Sequence, residues 1–286
     1  VGTLDEIIQW LTPKRYFDFG DITLNAGAAV LIQLLLWQIT RTSNLTAGID
    51  PKSLRLAARL AAIEVLLLLL CAANTPHRID AYADRLPGLA YLGRGLDTRM
   101  SEYGHRYRDS EIGLFRSRLD RRQLALADRE LADEAARVLA EVAGKSWYHR
   151  LHRRYPPHKA PFVSEMGTHL FYRERLSQRA GEATDAAEER HLATVAYREN
   201  LILERYFPHA LERTGKALPP AERTRLETLH RADATFESEV SNWLITGLSE
   251  GQLRGVLVAL LLGLVAVERR CARRMTDPVE AVSSVS

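Results

Sequence analysis

Six polar side chains, Glu6, Gln9, Arg15, Asp18, Asp21 and Asn25, fall within twenty residues of one another, just ahead of and inside a long uncharged run. Arginine is suited to gripping a carboxylate or a phosphate with two parallel hydrogen bonds, so Arg15 could pair with Glu6, Asp18 or Asp21 or meet a lipid phosphate. Asp18 and Asp21 flank a helix start, where carboxylates accept free backbone N–H groups and favour the positive end of the dipole. Asp21 and Asn25 are four apart and share one helix face. Asn25 lies a turn deeper, where an unpaired amide is costly, so it is expected to face other helices or a polar cavity.

Two further groups carry chemistry. Glu64 sits inside a second apolar run with Arg59 five positions earlier; it is either functional or satisfied by an ion pair or by Asn25 or Gln33. His149, His152, His158 and His169 lie near Glu165, with His149/His152 at i, i+3 and Glu165/His169 at i, i+4. Such spacing would suit a zinc or iron site, yet it matches no strong motif such as HExxH. The surrounding Lys145, Arg150, Arg153, Arg154 and Lys159, interleaved with Trp147, Tyr148, Tyr155 and Phe162, favour a basic surface that meets anionic headgroups. No metal or other cofactor is therefore assigned.

The elements that must position these residues begin with three apolar segments, Ile22–Ile39, Leu56–Ala73 and Gly255–Val267. The first has 18 residues without a formal charge, which is close to the length of a membrane span. The third is short, but Gln252, Arg254, Glu268 and Arg269 could snorkel from a longer helix. In a chain of 286 residues with a mean hydropathy of −0.19, three spans leave most of the sequence facing water. The balance of 39 Lys+Arg against 36 Asp+Glu gives +3, so nucleic acid is not an expected partner. Cys71 and Cys271, 200 positions apart, exclude a disulfide scaffold or a CxxC site.

Arg269, Arg270, Arg273 and Arg274 behind the third run favour a cytoplasmic C-terminus. Counting spans back then places 74–250 outside the membrane. That segment reads as four or five helices, with an irregular connector over 74–99, one amphipathic helix over 111–143, and a break at the prolines of 155–161. Helices follow over 163–178 and 185–206, and another runs from Pro219 and Pro220 toward Trp243. No alternation is long enough to argue a sheet. The fold class is all-α: membrane helices with an inserted extracytoplasmic helical bundle, divided as 1–41, 42–73, 74–250 and 251–286.

The order Glu6, Gln9, Arg15, Asp18, Asp21, Asn25, Gly27, written E-x-x-Q-x(5)-R-x-x-D-x-x-D-x(3)-N-x-G, resembles the signature closing the membrane domain of the VanZ-like family. That family is named for a protein giving low-level teicoplanin resistance. The resemblance covers residues 4 to 40. It implies that Glu6 and Gln9 end one membrane helix, Arg15 and Asp18 lie in a tight outer loop, and Asp21 and Asn25 open the next. Gly27 marks where two helices could approach closely. Family members carry two or three apolar helices before this signature, so an incomplete N-terminus is expected here. The implied function is a multi-pass envelope protein that binds or modulates membrane lipid, a cell-wall precursor or a glycopeptide through Glu6, Gln9, Arg15, Asp18, Asp21 and Asn25. The rival readings are a membrane-embedded, metal-dependent lipid or cell-wall hydrolase or transferase using Asp18 and Asp21, and a scaffold whose helical segment binds a partner protein.

Overall fold

A computed structural model of the protein describes residues 2–12, 17–39, 51–93 and 100–276, and is mostly helical over them. The chain opens with α1 (Gly2–Trp10), α2 (Phe19–Ile39), α3 (Pro51–Ala73) and α4 (Pro76–Ala83), then a 3-10 helix (Pro87–Gly93). A hairpin of β1 (His105–Asp109) and β2 (Gly113–Ser117) follows, then α5 (Arg121–Glu130), α6 (Ala132–Glu141), α7 (Trp147–Arg154) and α8 (Pro161–Glu182). The last elements are α9 (Ala186–Tyr206), α10 (Pro208–Thr214), α11 (Pro220–Leu229) and α12 (Glu250–Thr276). These form two compact units: the described residues up to 93 with 100–101 and 248–276, and residues 102–247.

In the first unit α3 and α12 pack along each other, and Arg55 and Arg59, one turn apart on α3, both hold Glu268 of α12 at 2.7 and 2.8 Å. Arg59 thus turns to α12. Two helices, over Pro51–Ala73 and Glu250–Arg273, are long and apolar enough to cross a membrane. Few of their apolar side chains are buried against protein: Leu56, Leu60, Ile63 and Leu70 of α3 and Val256, Leu260 and Leu262 of α12 are each at least half exposed. At ~25 cal/mol per Å² of apolar surface, a water-facing protein would lose several kcal/mol by leaving such side chains uncovered. Leu24, Val30, Leu31 and Ile32 of the 21-residue α2 are exposed in the same way.

The connector expected to be irregular is largely helical. Pro76 occupies the first turn of α4, where its missing N–H costs nothing. Ile79, Ala83 and Leu92 from this stretch then join Trp10, Phe17, Cys71 and Met100 in the unit's own small core.

The second unit has one continuous core in which the long helices α8 and α9 lie side by side. Proline opens α8, α10 and α11, so the breaks follow the sequence closely. Three expectations fail here. The region 111–143 is not one helix. It supplies the end of the hairpin loop, β2, α5 and α6, because Gly113 adopts φ +109° and Asp120 restarts the chain as the cap of α5 in a reciprocal capping box with Gln123. A sheet does exist, as an antiparallel pair with Tyr107 opposite Phe115, their rings stacked at 4.6 Å. The helix toward Trp243 stops at Leu229, and the chain beyond runs beside the hairpin: the Leu114 N–H donates to Phe236 O and the Ser238 N–H to Leu114 O. That approach explains Gly113, where a Cβ would lie 2.5 Å from Phe236 O.

The hairpin loop is tied by Asp109. Its Oδ1 accepts the N–H groups of Glu111 and Ile112 at 2.9 and 3.1 Å, and Oδ2 accepts Arg205 of α9 at 2.5 Å. Burial pushes this carboxyl up, but the bonds from Arg205, Ile112 and Glu111 outweigh it and bring it to about 2. A folded-state value below the unfolded one means the stabilisation is present above about pH 4 and is lost as pH falls through about 2. Asp109→Asn is therefore expected to lower the melting temperature at pH 7 by about 2–8 °C. The gap to the parent protein should close between pH 4 and 2; a gap constant across that interval would contradict this account.

Candidate functional site

Three helices of the first unit, α1, α2 and α3, enclose a cleft of about 580 Å³ lined by Gly2, Thr3, Asp5, Ile22, Asn25, Ala26, Ala29 and Glu64. Its polar groups are held by a second layer. Thr3 is fully buried on α1, and its hydroxyl donates to Oε1 of Glu64 on α3. Glu6 is also fully buried on α1: Oε1 accepts the Gln9 amide at 3.3 Å and Oε2 accepts the backbone N–H of Asp18 at 3.1 Å. Gln9 donates as well to Asp5 Oδ2 at 3.1 Å. Asp18 caps α2, its Oδ1 accepting the Gly20 N–H at 2.6 Å.

Among the residues expected to form a site, Glu6, Gln9 and Asp18 are thus brought together as a tie between α1 and the start of α2, with Glu6 buried, Gln9 half-buried and Asp18 exposed. Asp21 is exposed in the first turn of α2, where it complements the dipole. Asn25 is the one that reaches the cleft, with Glu64 across from it. Arg15 lies outside the described residues. Gly27 is not the close approach expected of it: among the described residues nothing lies within 4 Å of a Cβ placed there. The narrow point is Gly2, where a Cβ would meet Asn25 at 3.5 Å.

Glu64 and Asp5 give the cleft two carboxylates, while Thr3 and Asn25 add a hydroxyl and an amide. Such a lining accepts hydrogen bonds from hydroxyl, amide or ammonium groups. Glu64 stands near the middle of the 23-residue α3; in a membrane span an ionisable side chain there would be costly and a candidate for function. Thr3 and Asp5 were not singled out from the sequence; their spacing from Glu6 on one short helix was the available signal.

The histidines of the second unit do not converge. His152 is buried, its Nε2 3.1 Å from Thr168 Oγ1 and its Nδ1 3.3 Å from Ser164 Oγ. His149 is exposed on α7. Glu165 and His169 are both buried on α8 but take separate partners, and among the described residues no three His, Cys, Asp or Glu groups are gathered to hold a metal ion.

Glu165 Oε1 accepts the Arg118 N–H at 2.8 Å and its guanidinium at 3.0 Å, and Oε2 accepts Ser117 Oγ at 2.5 Å. Arg118 is gripped from its other side by both oxygens of Glu102, at 2.6 and 2.8 Å. Burial pulls this guanidinium down, but the two carboxylates outweigh it and hold it above its ordinary value. Nearby, His169 Nδ1 lies 2.6 Å from Glu199 Oε2, and Glu199 Oε1 accepts Ser238 Oγ at 2.6 Å. His169, Glu199 and Ser238 resemble a catalytic relay in composition, but all three are about 1% exposed. With both oxygens of Glu199 engaged, the row pins the 236–240 segment to α8 and α9.

Comparison of this chain with models of known families, with curated proteins and with solved structures found no match.

Removing one member of a buried charge network strands the others. Glu165→Ala is expected to cost about 3–5 kcal/mol, read by chemical denaturation of the full chain, because it leaves Arg118 with half its countercharge. Glu165→Gln should cost less, since its carbonyl can still accept from Arg118. Equal, small losses for both would show that the network is not what holds this unit together.

Proposed function

We propose that the chain is a VanZ-like, multi-pass membrane protein of the cell envelope whose α1–α2–α3 cleft engages the polar part of a lipid or cell-wall precursor at the membrane boundary. The observation that carries this reading is the lining of the cleft. Thr3, Asp5, Asn25 and Glu64 gather on helices of which α2 and α3 expose many apolar side chains, among them Leu24, Val30, Leu31, Leu56, Leu60 and Ile63. Polar groups at such a depth are retained for a ligand or a proton, because an apolar replacement would be cheaper to insert.

The resemblance of the Glu6 to Gly27 segment to the family signature supports the same reading. Glu6, Gln9 and Asp18 would set the angle between the two helices that frame the cleft. Arg15, which lies between them in sequence, would meet a phosphate at the outer headgroup layer. The clustered Arg269, Arg270, Arg273 and Arg274 support a cytoplasmic C-terminus, with 74–250 outside and three spans in the chain. A role in how a glycopeptide meets its cell-wall target is the physiological form that the resemblance suggests.

Two measurements test this. With Cys71 and Cys271 replaced, a single cysteine at the exposed Ser110 should react with a membrane-impermeant maleimide in intact cells. Labelling that requires lysis would reverse the topology. In a glycopeptide-susceptible host, expression should raise the inhibitory concentration of teicoplanin, and Arg15→Ala, Asn25→Ala and Glu64→Gln should each return it to the host value at equal protein level. Retained resistance in the cleft variants would sink the assignment of the site.

A further inference from the structure

We propose that the second unit carries an anion site for a phosphate-bearing ligand, in the pocket that α5 forms with the end of α9 and the start of α10. The pocket holds about 250 Å³ and is lined by one stripe of α5, Arg121, Leu124, Ala125, Asp128 and Arg129, facing Arg205, Tyr206, Pro208 and His209. Three arginines and a histidine therefore surround a single carboxylate.

The hydrogen-bond account decides the sign of the site. Asp128, buried at 3% exposure, spends its oxygens on the backbone N–H groups of His209 and Ala210 at 3.1 and 3.0 Å and on the His209 ring at 2.7 Å. Arg205 is neutralised by Asp109 and Glu111. Arg121 and Arg129 remain. Both are exposed, and among the described residues neither has a carboxylate within salt-bridge distance. The Arg121 guanidinium lies 5.7 Å over the buried Tyr107 ring, which holds its stem against the unit without cancelling its charge. Asp128 also fixes the His209 ring through Nδ1, leaving Nε2 without a partner among the described residues.

The chemistry fits an anion with two charged groups. Arg121 and Arg129 are eight positions apart, so their backbones are separated by about 12 Å along the helix, and their side chains can close on a ligand from either end. Each guanidinium can grip a phosphate with two hydrogen bonds. Leu124, Tyr206 and Pro208 give the floor apolar surface for a carbon group esterified to the anion. A diphosphate borne on a lipid meets both requirements, and free pyrophosphate meets the first.

The test uses the full chain in detergent, titrated calorimetrically with inorganic pyrophosphate and, separately, with short-chain phosphatidic acid against short-chain phosphatidylcholine. Saturable binding of pyrophosphate assigns the site to soluble phosphates; binding of phosphatidic acid alone assigns it to lipid headgroups, and either supports the proposal. The double variant Arg121→Ala/Arg129→Ala should weaken binding by about tenfold or more, the loss expected when charge-assisted hydrogen bonds are removed. Arg122→Ala, exposed on α5 but off the pocket, should bind like the parent. Arg129→Lys keeps the charge and the fold while losing the fork, so a weaker but measurable affinity is expected of it. Failure of both phosphate probes to saturate, or an equal loss in Arg122→Ala, would overturn the proposal.

Discussion

Glu165 lies in the middle of the second unit out of reach of water, and much of that unit is arranged to meet its charge. A carboxylate in that position is tolerated only with donors on both oxygens. Ser117 and the backbone and guanidinium of Arg118 supply them. Arg118 must then be balanced in turn, which brings Glu102 alongside, and the Trp243 indole donates to the same carboxylate at 2.9 Å. Strand β2, helix α8 and the segment after α11 are thus fixed by one chain of charges, with the apolar core filling the space around it. The hairpin therefore belongs to the core.

The first unit applies the same rule at smaller scale. Glu6 is buried and meets the Gln9 amide and the Asp18 N–H, so a short helix and the start of a long one are held at one angle. What remains between them is a cleft with accepting groups, on helices of which α2 and α3 expose many of their apolar side chains. A polar second layer that sets helix positions, and a separate set of polar residues that faces the opening, is the arrangement expected where a site must stay open at fixed geometry. Residues of the signature-like segment divide between these duties: Glu6, Gln9 and Asp18 build, Asp21 complements the helix dipole, and Asn25 faces the cleft.

The pocket beside α5 follows a different logic. There the carboxylate serves the fold, because Asp128 caps the start of α10, and the cations are left over. Arginine outnumbers what the local carboxylates can neutralise, and a half-open pocket with an apolar floor collects the excess. A surface that needed only solubility would interleave the two signs.

Local features of this protein follow from its sequence: the helix start at Pro220, the break ahead of α8 and the positions of the apolar helices come from proline geometry and from runs of Leu, Val and Ala that need no partner to be read, although Pro161, read as part of the break, opens α8. The polar cluster at 6–25 was legible for the same reason, since its residues lie within a few turns of each other. What only the tertiary structure decided was which polar residues meet. Arg59 read as a partner for nearby Glu64 and instead holds Glu268, more than 200 positions away. Leu114 read as part of a helix and instead pairs with Arg108 in the hairpin and, on its other edge, with 236–238; Arg198 and Glu199 fall inside the helix read over 185–206, and the distant loops they satisfy bury them. Spacing along a chain carries local geometry, while the pairing of buried charges depends on segments that only folding brings together.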